Sequence, residues 1–332
     1  MLAVAFIDNS LLQALLYCYL ALSVYLSLRV LDFPDLTIEG SFPLGAAVAA
    51  CCVTYFNSPL LGIVLGIVAG YAAGSLTAFL YEYLGLGKLL SGIVVATGMY
   101  SVSFRIMGAN ANLYLSSTNN PGARLNDLNT SLVQHVFGAG DYPILYPLTN
   151  LFLGLFLVLV LYALYRYLIS SGGTLLRFSR EDSRGLVAAV GFDAKRAMTH
   201  GLGMANALAA LAGVLVVFSD GTASISMGFG IILTALASLV IGERLIGLFH
   251  KDKTDVWPML LAPILGTLVY HMIVKAVRSA NVFAQSVFGF PDPHDQLQFF
   301  NTDIRILTAM IIIMLYYRQV RIRGDSNPFD RL

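Results

Sequence analysis

Long apolar segments dominate this 332-residue chain and constrain its fold more than any other feature. A transmembrane helix needs about 20 mostly apolar residues to cross roughly 30 Å of hydrocarbon. Only 12% of the residues are charged, against about 25% in soluble domains, and 57% are hydrophobic, which excludes soluble and disordered chains. The sequence predicts an all-α polytopic membrane bundle of about nine helices (eight to ten), at 10–28, 42–56, 60–83, 89–107, 145–168, 201–219, 228–248, 257–274 and 304–317.

The distribution of Lys and Arg predicts how the spans are oriented. Fifteen of the 20 basic residues fall in one set of loops and the C-terminal tail, and five fall on the other side. Cytoplasmic loops carry the excess of positive charge. Because nine spans put the termini on opposite sides, we expect the N-terminus outside and the C-terminus in the cytoplasm. Residues 1–9 contain no Lys or Arg, so the first apolar segment is expected to be an uncleaved span.

The loops are too short to form a second domain, so residues 1–332 are expected to be one transmembrane domain. Loops 108–144 and 279–303 are assigned to the outside, and loop 169–200 is the largest inner loop. The three cysteines lie in apolar segments and the five histidines are scattered, so we predict neither metal nor cofactor. The chain has no phosphate-binding Gly-x-x-x-x-Gly-Lys-Ser/Thr motif, no catalytic motif and no nucleic-acid pattern. We therefore expect it not to be an enzyme.

Residues 179–191, in the inner loop, predict a helix of about three turns, which is too short to span the membrane. Ser179 suits the N-cap, Asp182 the first turn and Gly191 the position after the last turn. The helix can dock in a groove of a soluble partner or lie on the membrane surface, and the local pattern fits both. Its other candidate residues are Glu181, Arg184, Gly185, Leu186 and Val190.

A second polar segment interrupts the apolar pattern between the first two spans. Asp32, Asp35 and Glu39 place three carboxylates within eight residues, and Pro34, Gly40 and Pro43 disfavour a continuous helix. Carboxylates are too costly at a lipid-facing position, so these must face a cavity, the protein interior or the inner aqueous phase. A short span after such a break is typical of a discontinuous helix near a substrate path. Residues 221–230 form a second break, a possible counterpart in a weak internal repeat.

Polar and small residues near these breaks and on neighbouring spans are candidates for a translocation path. They are Asp35, Thr37, Glu39, Ser41, Thr97, Tyr100, Asn206, Met227 and Gly230. A structural role stays open for each, because carboxylates can cap helices or pair with Arg29, and polar groups can form hydrogen bonds between helices. Glu243, beside Arg244, fits an inner-face ion pair better than a solute ligand.

Four glycines recur every four residues in the third span and predict a smooth face for close helix packing. They are Gly62, Gly66, Gly70 and Gly74. The spacing favours a packing role over a solute site. It does not indicate whether the neighbouring helix belongs to the same subunit or to a second copy.

Four stretches, in this order, resemble permease subunits of ATP-binding-cassette importers of the branched-chain amino acid and ribose permease superfamily. They are 31–45 (LDFPDLTIEGSFPLG), 91–102 (SGIVVATGMYSV) with 105–108 (RIMG), 183–195 (SRGLVAAVGFDAK) with 205–215 (ANALAALAGVL), and 227–243 (MGFGIILTALASLVIGE). The first and last are similar to the tryptophan/tyrosine-type, uncharacterised amino acid subgroup. The likeness covers roughly residues 22–317. Ribose-type relatives have an additional N-terminal span that the nine segments here do not include.

The resemblance implies a homodimeric permease in the bacterial inner membrane that carries a small solute, most plausibly an amino acid. It also implies two cytoplasmic ATPase subunits, which hydrolyse the ATP, and an extracytoplasmic solute-binding protein. It favours docking to the ATPase as the role of residues 179–191. The alternative is a self-sufficient secondary transporter that uses the carboxylates for ion coupling. No residue in the sequence specifies the solute.

Overall fold

The computed structural model describes residues 2–115, 145–178, 191, 193–249, 256–288 and 310. Its α-helices are α1 (Leu2–Tyr25), α2 (Thr37–Phe56), α3 (Pro59–Glu82), α4 (Lys88–Ile106), α5 (Leu145–Ile169), α6 (Ser171–Phe178), α7 (Ala194–Asp220), α8 (Ile231–Phe249) and α9 (Val256–Phe288). A π-helical turn, Leu26–Val30, extends α1. Strands β1 (Asn112–Tyr114) and β2 (Thr222–Ser224) form an antiparallel pair, and a 3₁₀ turn, Ile225–Gly228, precedes α8.

Every one of these helices except α6 is long and apolar enough to cross a membrane, which gives eight candidate spans in the described part of the chain. This confirms the prediction of an all-α polytopic membrane protein. The predicted ninth segment, 304–317, lies almost entirely outside the described residues. The orientation of the termini and the single-domain organisation therefore stay predictions.

The second span is longer than the predicted segment 42–56, because α2 begins at Thr37 and runs for 20 residues. The prediction of a short span was wrong, and the break is confined to residues 32–36. Pro43 lies inside the helix, where it has no N–H to donate to the carbonyl of Glu39. Gly228 packs against that carbonyl so closely that an added Cβ would lie 2.2 Å from the oxygen. The helix therefore tolerates its proline, and the chain from the second break fills the space beside it.

Local signals set where the helices begin and end. Ser58 caps α3 by accepting the N–H of Leu61 at 3.4 Å, and Pro59 takes the first helical position, where its missing N–H costs nothing. Asp193 caps α7 by accepting the N–H of Lys195 at 3.0 Å. Helix α7 ends at Gly221, whose φ of 71° is a left-handed conformation that favours glycine.

Helices α2 and α7 lie at the centre of the bundle, and α3, α4 and α5 expose broad apolar surfaces. Small residues let the two central helices approach closely. An added Cβ on Gly45 would lie 2.3 Å from the carbonyl oxygen of Ala210, and one on Gly213 would lie 2.0 Å from that of Phe42. The backbones of α2 and α7 are therefore in direct contact at the centre of the molecule.

The four glycines of α3 pack inside this same chain. Gly62 faces Ala49 of α2, and the other three glycines face α7. One of them, Gly66, also lies near Gly45 of α2. An added Cβ on Gly70 would lie 2.4 Å from the Cβ of Ala210, and one on Gly74 would lie 2.1 Å from the carbonyl oxygen of Leu202. The neighbours of this face in the structure are therefore α2 and α7, within the subunit.

An ion pair joins the end of the first span to α8. The Arg29 guanidinium donates two hydrogen bonds to the Glu243 carboxylate, from Nε to Oε1 at 2.6 Å and from its terminal nitrogen to Oε2 at 2.7 Å. The sequence predicted an ion pair for Glu243, but with its neighbour Arg244. A residue's chain neighbour projects from a different side of the helix, whereas Arg29 approaches from a helix packed alongside.

We expect Gly74→Ala to destabilise the protein by about 1–3 kcal/mol, because its Cβ would meet the backbone of α7 and force the helices apart. Gly154→Ala on α5 is the matched control, since nothing lies within 4 Å of its added Cβ and the gain in helix propensity is the same. The measurement is the thermal unfolding midpoint of detergent-purified protein. A Gly74→Ala midpoint at or above that of the wild type would contradict the packing.

Candidate functional site

The two predicted breaks meet near the middle of the bundle. An α-helix rises about 1.5 Å per residue, so Gly230, just before the start of α8, lies roughly 20 Å along the axis of that helix from Glu243, the site of the ion pair. Tyr100 lies twelve residues after Lys88, the start of α4, and Asn206 lies twelve residues after the start of α7, each a rise of roughly 18 Å. Both residues therefore lie well inside candidate membrane spans, several turns from the start of each helix.

Asp35 is the centre of a buried hydrogen-bond network. Its Oδ1 accepts the backbone N–H of Thr37 at 2.9 Å, and its Oδ2 accepts Nδ2 of Asn206 at 2.6 Å. Asn206 in turn accepts the hydroxyl of Ser41 at 2.7 Å and donates to the carbonyl of Leu202 at 3.0 Å. The side chains of Asp35, Ser41 and Asn206 are all buried. These hydrogen bonds attach the break to α7.

A second hydrogen bond extends this network to α3. The Oγ1 atoms of Thr37 and Thr77 are 2.6 Å apart, and Thr77 also donates to the carbonyl of Ala73 at 3.2 Å. We call Asp35, Thr37, Ser41, Thr77 and Asn206 the buried network. Both carboxylate oxygens of Asp35 already accept hydrogen bonds within the protein, so the network is built as an internal connection between three helices.

A second polar group forms around Glu39, in the first turn of α2. Oε1 of Glu39 accepts the backbone N–H of Gly230 at 3.1 Å, across the second break. Gly230 has a φ of 70°, a conformation that a side chain would strain. The Tyr100 ring lies 4.8 Å from the Phe229 ring, and Phe229 directly precedes Gly230 in the chain. We call Glu39, Tyr100, Phe229 and Gly230 the Glu39 cluster.

The Glu39 cluster differs from the buried network in its exposure. Glu39 and Tyr100 are half-buried, and Phe229 is 49% exposed. The described residues therefore leave space beside this cluster uncovered. A carboxylate, an aromatic pair and a fixed backbone turn border that space, and such a set can contact a charged group and a flat apolar group together.

The remaining path candidates lie elsewhere. Thr97 is exposed on α4 and donates to the carbonyl of Ile93 at 2.8 Å, and Met227 packs against the apolar core. Asp32 is exposed, and its carbonyl accepts Nζ of Lys88 at 3.3 Å. The structure therefore brings together seven of the nine predicted path residues, in two groups, and places Thr97 and Met227 apart from both.

Most of the predicted docking helix lies outside the described residues, which include only Gly191 from 179–192. Gly191 has a φ of 82°, the left-handed conformation that the position after a helix favours. The loop is attached directly to α7, since Asp193 caps the first turn of that helix. The docking role of Ser179, Glu181, Asp182, Arg184, Gly185, Leu186 and Val190 stays a prediction.

Sequence reasoning missed two residues that the structure places in these groups. Thr77 is the hydroxyl of α3 that bonds Thr37, and its signal was a polar residue three positions after the last packing glycine, with Ser75 between them. Phe229 stands between Gly228 and Gly230 in the second break, and an isolated aromatic residue between two glycines was the available signal. Single polar residues and single aromatic residues are both common in membrane spans, so neither signal was specific.

Comparison with known proteins identifies similar sequences over almost the whole chain. The family described as "Branched-chain amino acid transport system / permease component" matches residues 6–315. The tyrosine transport system permease protein of Clostridioides difficile (strain R20291) is 28% identical over 303 residues, 91% of this chain and 87% of that protein. An uncharacterized protein of Rickettsia prowazekii (strain Madrid E) is 29% identical over 262 residues, 78% and 84% of the two chains. No solved structure gives a significant match.

We expect Asn206→Leu to destabilise the protein, because it removes the partner of Asp35 Oδ2 and of the Ser41 hydroxyl while keeping a similar volume. Each buried polar group left without a partner costs about 1–3 kcal/mol. Thr97→Val is the control, since it removes an exposed hydroxyl that bonds only within its own helix. Thermal unfolding midpoints of the purified proteins compare the two. If Asn206→Leu melts no earlier than Thr97→Val, the network does not hold α2 against α7.

Proposed function

Since the chain belongs to the family of branched-chain amino acid transport system permease components, we propose that it is the membrane subunit of an ATP-binding-cassette importer for an amino acid. The observation that carries the proposal is the family match over residues 6–315, which includes every described span. The relative in Clostridioides difficile is a tyrosine transport system permease, and it supports an aromatic amino acid as the solute. The protein is a multi-pass protein of the cell membrane.

The energy comes from partner ATPase subunits, which bind residues 179–191. The loop leads straight into α7, whose first turn is fixed by Asp193. Helix α7 is continuous from Ala194 to Asp220 and carries Asn206, the residue bonded to Asp35. A movement of the loop is therefore transmitted along one helix to the break before α2. This direct connection supports residues 179–191 as the coupling element.

A second copy of this chain completes the pathway. Helix α4 exposes Thr97, Gly98 and Ser101 among its apolar residues, on a surface that the described chain leaves uncovered. The Glu39 cluster, half-exposed, also involves α4 through Tyr100. Polar groups gain little from lipid, whereas a second subunit can cover them and enclose an aqueous space. An extracytoplasmic binding protein delivers the solute to the outer face.

A secondary transporter is the alternative, and the carboxylates in the middle of the membrane are the observation that favours it. Asp35, however, is held by two donors from within the protein, Thr37 and Asn206. An ion-coupling carboxylate has to exchange its partners during transport. The described geometry of Asp35 therefore supports the importer over this alternative.

Reconstitution in proteoliposomes separates the two functions. We expect uptake of L-tyrosine only when the chain is combined with its ATPase subunits, its binding protein and ATP. The control contains the same components with a non-hydrolysable ATP analogue. Uptake by the chain alone, driven by a proton or sodium gradient, would establish the secondary transporter instead.

The coupling role of residues 179–191 has its own test. We expect Leu186→Glu to abolish copurification of the ATPase subunits and to lower uptake at least tenfold, because a carboxylate cannot enter an apolar groove. Leu248→Glu is the matched control, since Leu248 is 78% exposed at the end of α8 and outside the loop. Both variants should insert in the membrane to the level of the wild type. Retained ATPase binding by Leu186→Glu would leave this segment as a membrane-surface helix.

A further inference from the structure

We propose that Glu39, Tyr100 and Phe229 form a recognition point for an aromatic amino acid, where α2, α4 and the second break meet. The inference rests on the proposed function, because it assumes that an amino acid passes through this chain. It assigns the two ends of that solute to different residues. Glu39 contacts the ammonium group, and the two aromatic residues contact the side-chain ring.

The position of the Glu39 carboxylate is the first argument. It lies in the first turn of α2, a candidate membrane span, where an acidic side chain is costly and marks a pathway by default. The N–H of Gly230 holds Oε1 at 3.1 Å, so the carboxylate has a defined orientation. Glu39 is nevertheless half-buried, so a solute in the adjoining space can approach it. The ammonium group of an amino acid has the complementary charge and three N–H donors for a carboxylate.

The exposed Phe229 ring is the second argument. An exposed aromatic side chain in a membrane protein ordinarily faces lipid, but Phe229 lies next to Gly230, which bonds the Glu39 carboxylate. Lipid cannot solvate that carboxylate, so the space beside the two residues has to accept polar groups. Gly228, on the other side of Phe229, packs against the backbone of α2 and so fixes the position of this segment. A ring with a polar end, as in an aromatic amino acid, matches both the apolar and the charged side of this space.

The Tyr100 side chain is the third argument. Its ring lies 4.8 Å from that of Phe229, within the 4.5–7 Å range of favourable aromatic pairs, so the two rings form an extended apolar wall. Its hydroxyl is buried and has no hydrogen-bond partner among the described residues. An unsatisfied buried hydroxyl is unusual in a native protein. A polar group that enters beside Phe229 can supply the missing partner, which a lipid tail cannot do.

The contrast with the buried network narrows the proposal to these residues. Asp35 lies four residues before Glu39 and carries the same charge, but its two oxygens accept hydrogen bonds from Thr37 and Asn206 in a fully buried setting. A solute cannot reach it without breaking helix contacts. Of these two carboxylates, Glu39 is the one that is half-buried and close to the exposed Phe229 ring.

The test compares substitutions of Phe229 in the complete importer, reconstituted with its ATPase subunits and binding protein. The initial rate of L-tyrosine uptake should fall about threefold to tenfold in Phe229→Leu, which keeps an apolar side chain but loses the ring. It should stay within about twofold of the wild type in Phe229→Tyr, which keeps the ring. Leu233→Ala, one turn further along and also exposed, is the control for general damage to α8 and should leave the rate unchanged.

Glu39→Gln tests the charge separately from the hydrogen bond. The amide oxygen of glutamine can still accept the N–H of Gly230, so the fold and the assembly with the ATPase should be retained. The rate of L-tyrosine uptake should fall at least tenfold, because the ammonium loses its counter-charge. If Glu39 were only a structural residue, Glu39→Ala would lower expression and the unfolding midpoint more than uptake, and Glu39→Gln would behave like the wild type.

The outcomes distinguish the recognition point from the function it rests on. If the wild-type importer transports L-tyrosine and Phe229→Leu and Phe229→Tyr do so equally, the recognition point is wrong and the importer stands. If the wild-type importer transports an aliphatic amino acid such as L-leucine but no aromatic one, the recognition point is also wrong. If the complete wild-type system transports no amino acid with ATP, the proposed function itself fails.

Discussion

The hydrogen bond from Asn206 to the Asp35 carboxylate, 2.6 Å long, is the interaction on which the centre of this protein depends. A carboxylate taken out of water is stable only when donors replace its hydration. Asn206 and the Thr37 N–H provide those donors, so Asp35 can be buried within a segment that has no helical structure. Helix α2 begins directly after this segment, and its first turn places Glu39 against the second break.

The buried network and the Glu39 cluster contain similar residues but take different roles. The buried network connects α2, α3 and α7 and leaves no oxygen of Asp35 without a donor. The Glu39 cluster is formed where two interrupted segments meet, and it remains partly open. Rigidity in the first group and access in the second are what a transport pathway requires. Because α7 links the loop at 169–200 to Asn206, which bonds Asp35, a movement of that loop can change how α2 presents Glu39.

The sequence predicted the membrane class and eight described spans, because apolar length is a property of single segments. It also predicted both breaks, since proline, glycine and carboxylates interrupt an apolar pattern wherever they lie. It did not predict that α2 continues through Pro43, which depends on how Gly228 packs against the freed carbonyl. Nor did it predict the pairing of Arg29 with Glu243, residues that are 214 positions apart. Contacts between distant helices have no local signature, so Thr77 and Phe229 were recognisable only once the helices had been placed.

The most direct measurement is the water accessibility of position 229 in the assembled importer. In a variant without Cys18, Cys51 and Cys52, Phe229→Cys and Leu155→Cys are compared by their rates of reaction with a hydrophilic thiosulfonate. Leu155 lies roughly 21 Å along α5 from Ile169, a similar depth, and is 68% exposed on a helix expected to face lipid. A pathway at the Glu39 cluster predicts that Phe229→Cys reacts at least tenfold faster than Leu155→Cys and that its rate changes during ATP turnover. Equal, slow reaction at both positions would contradict a pathway there.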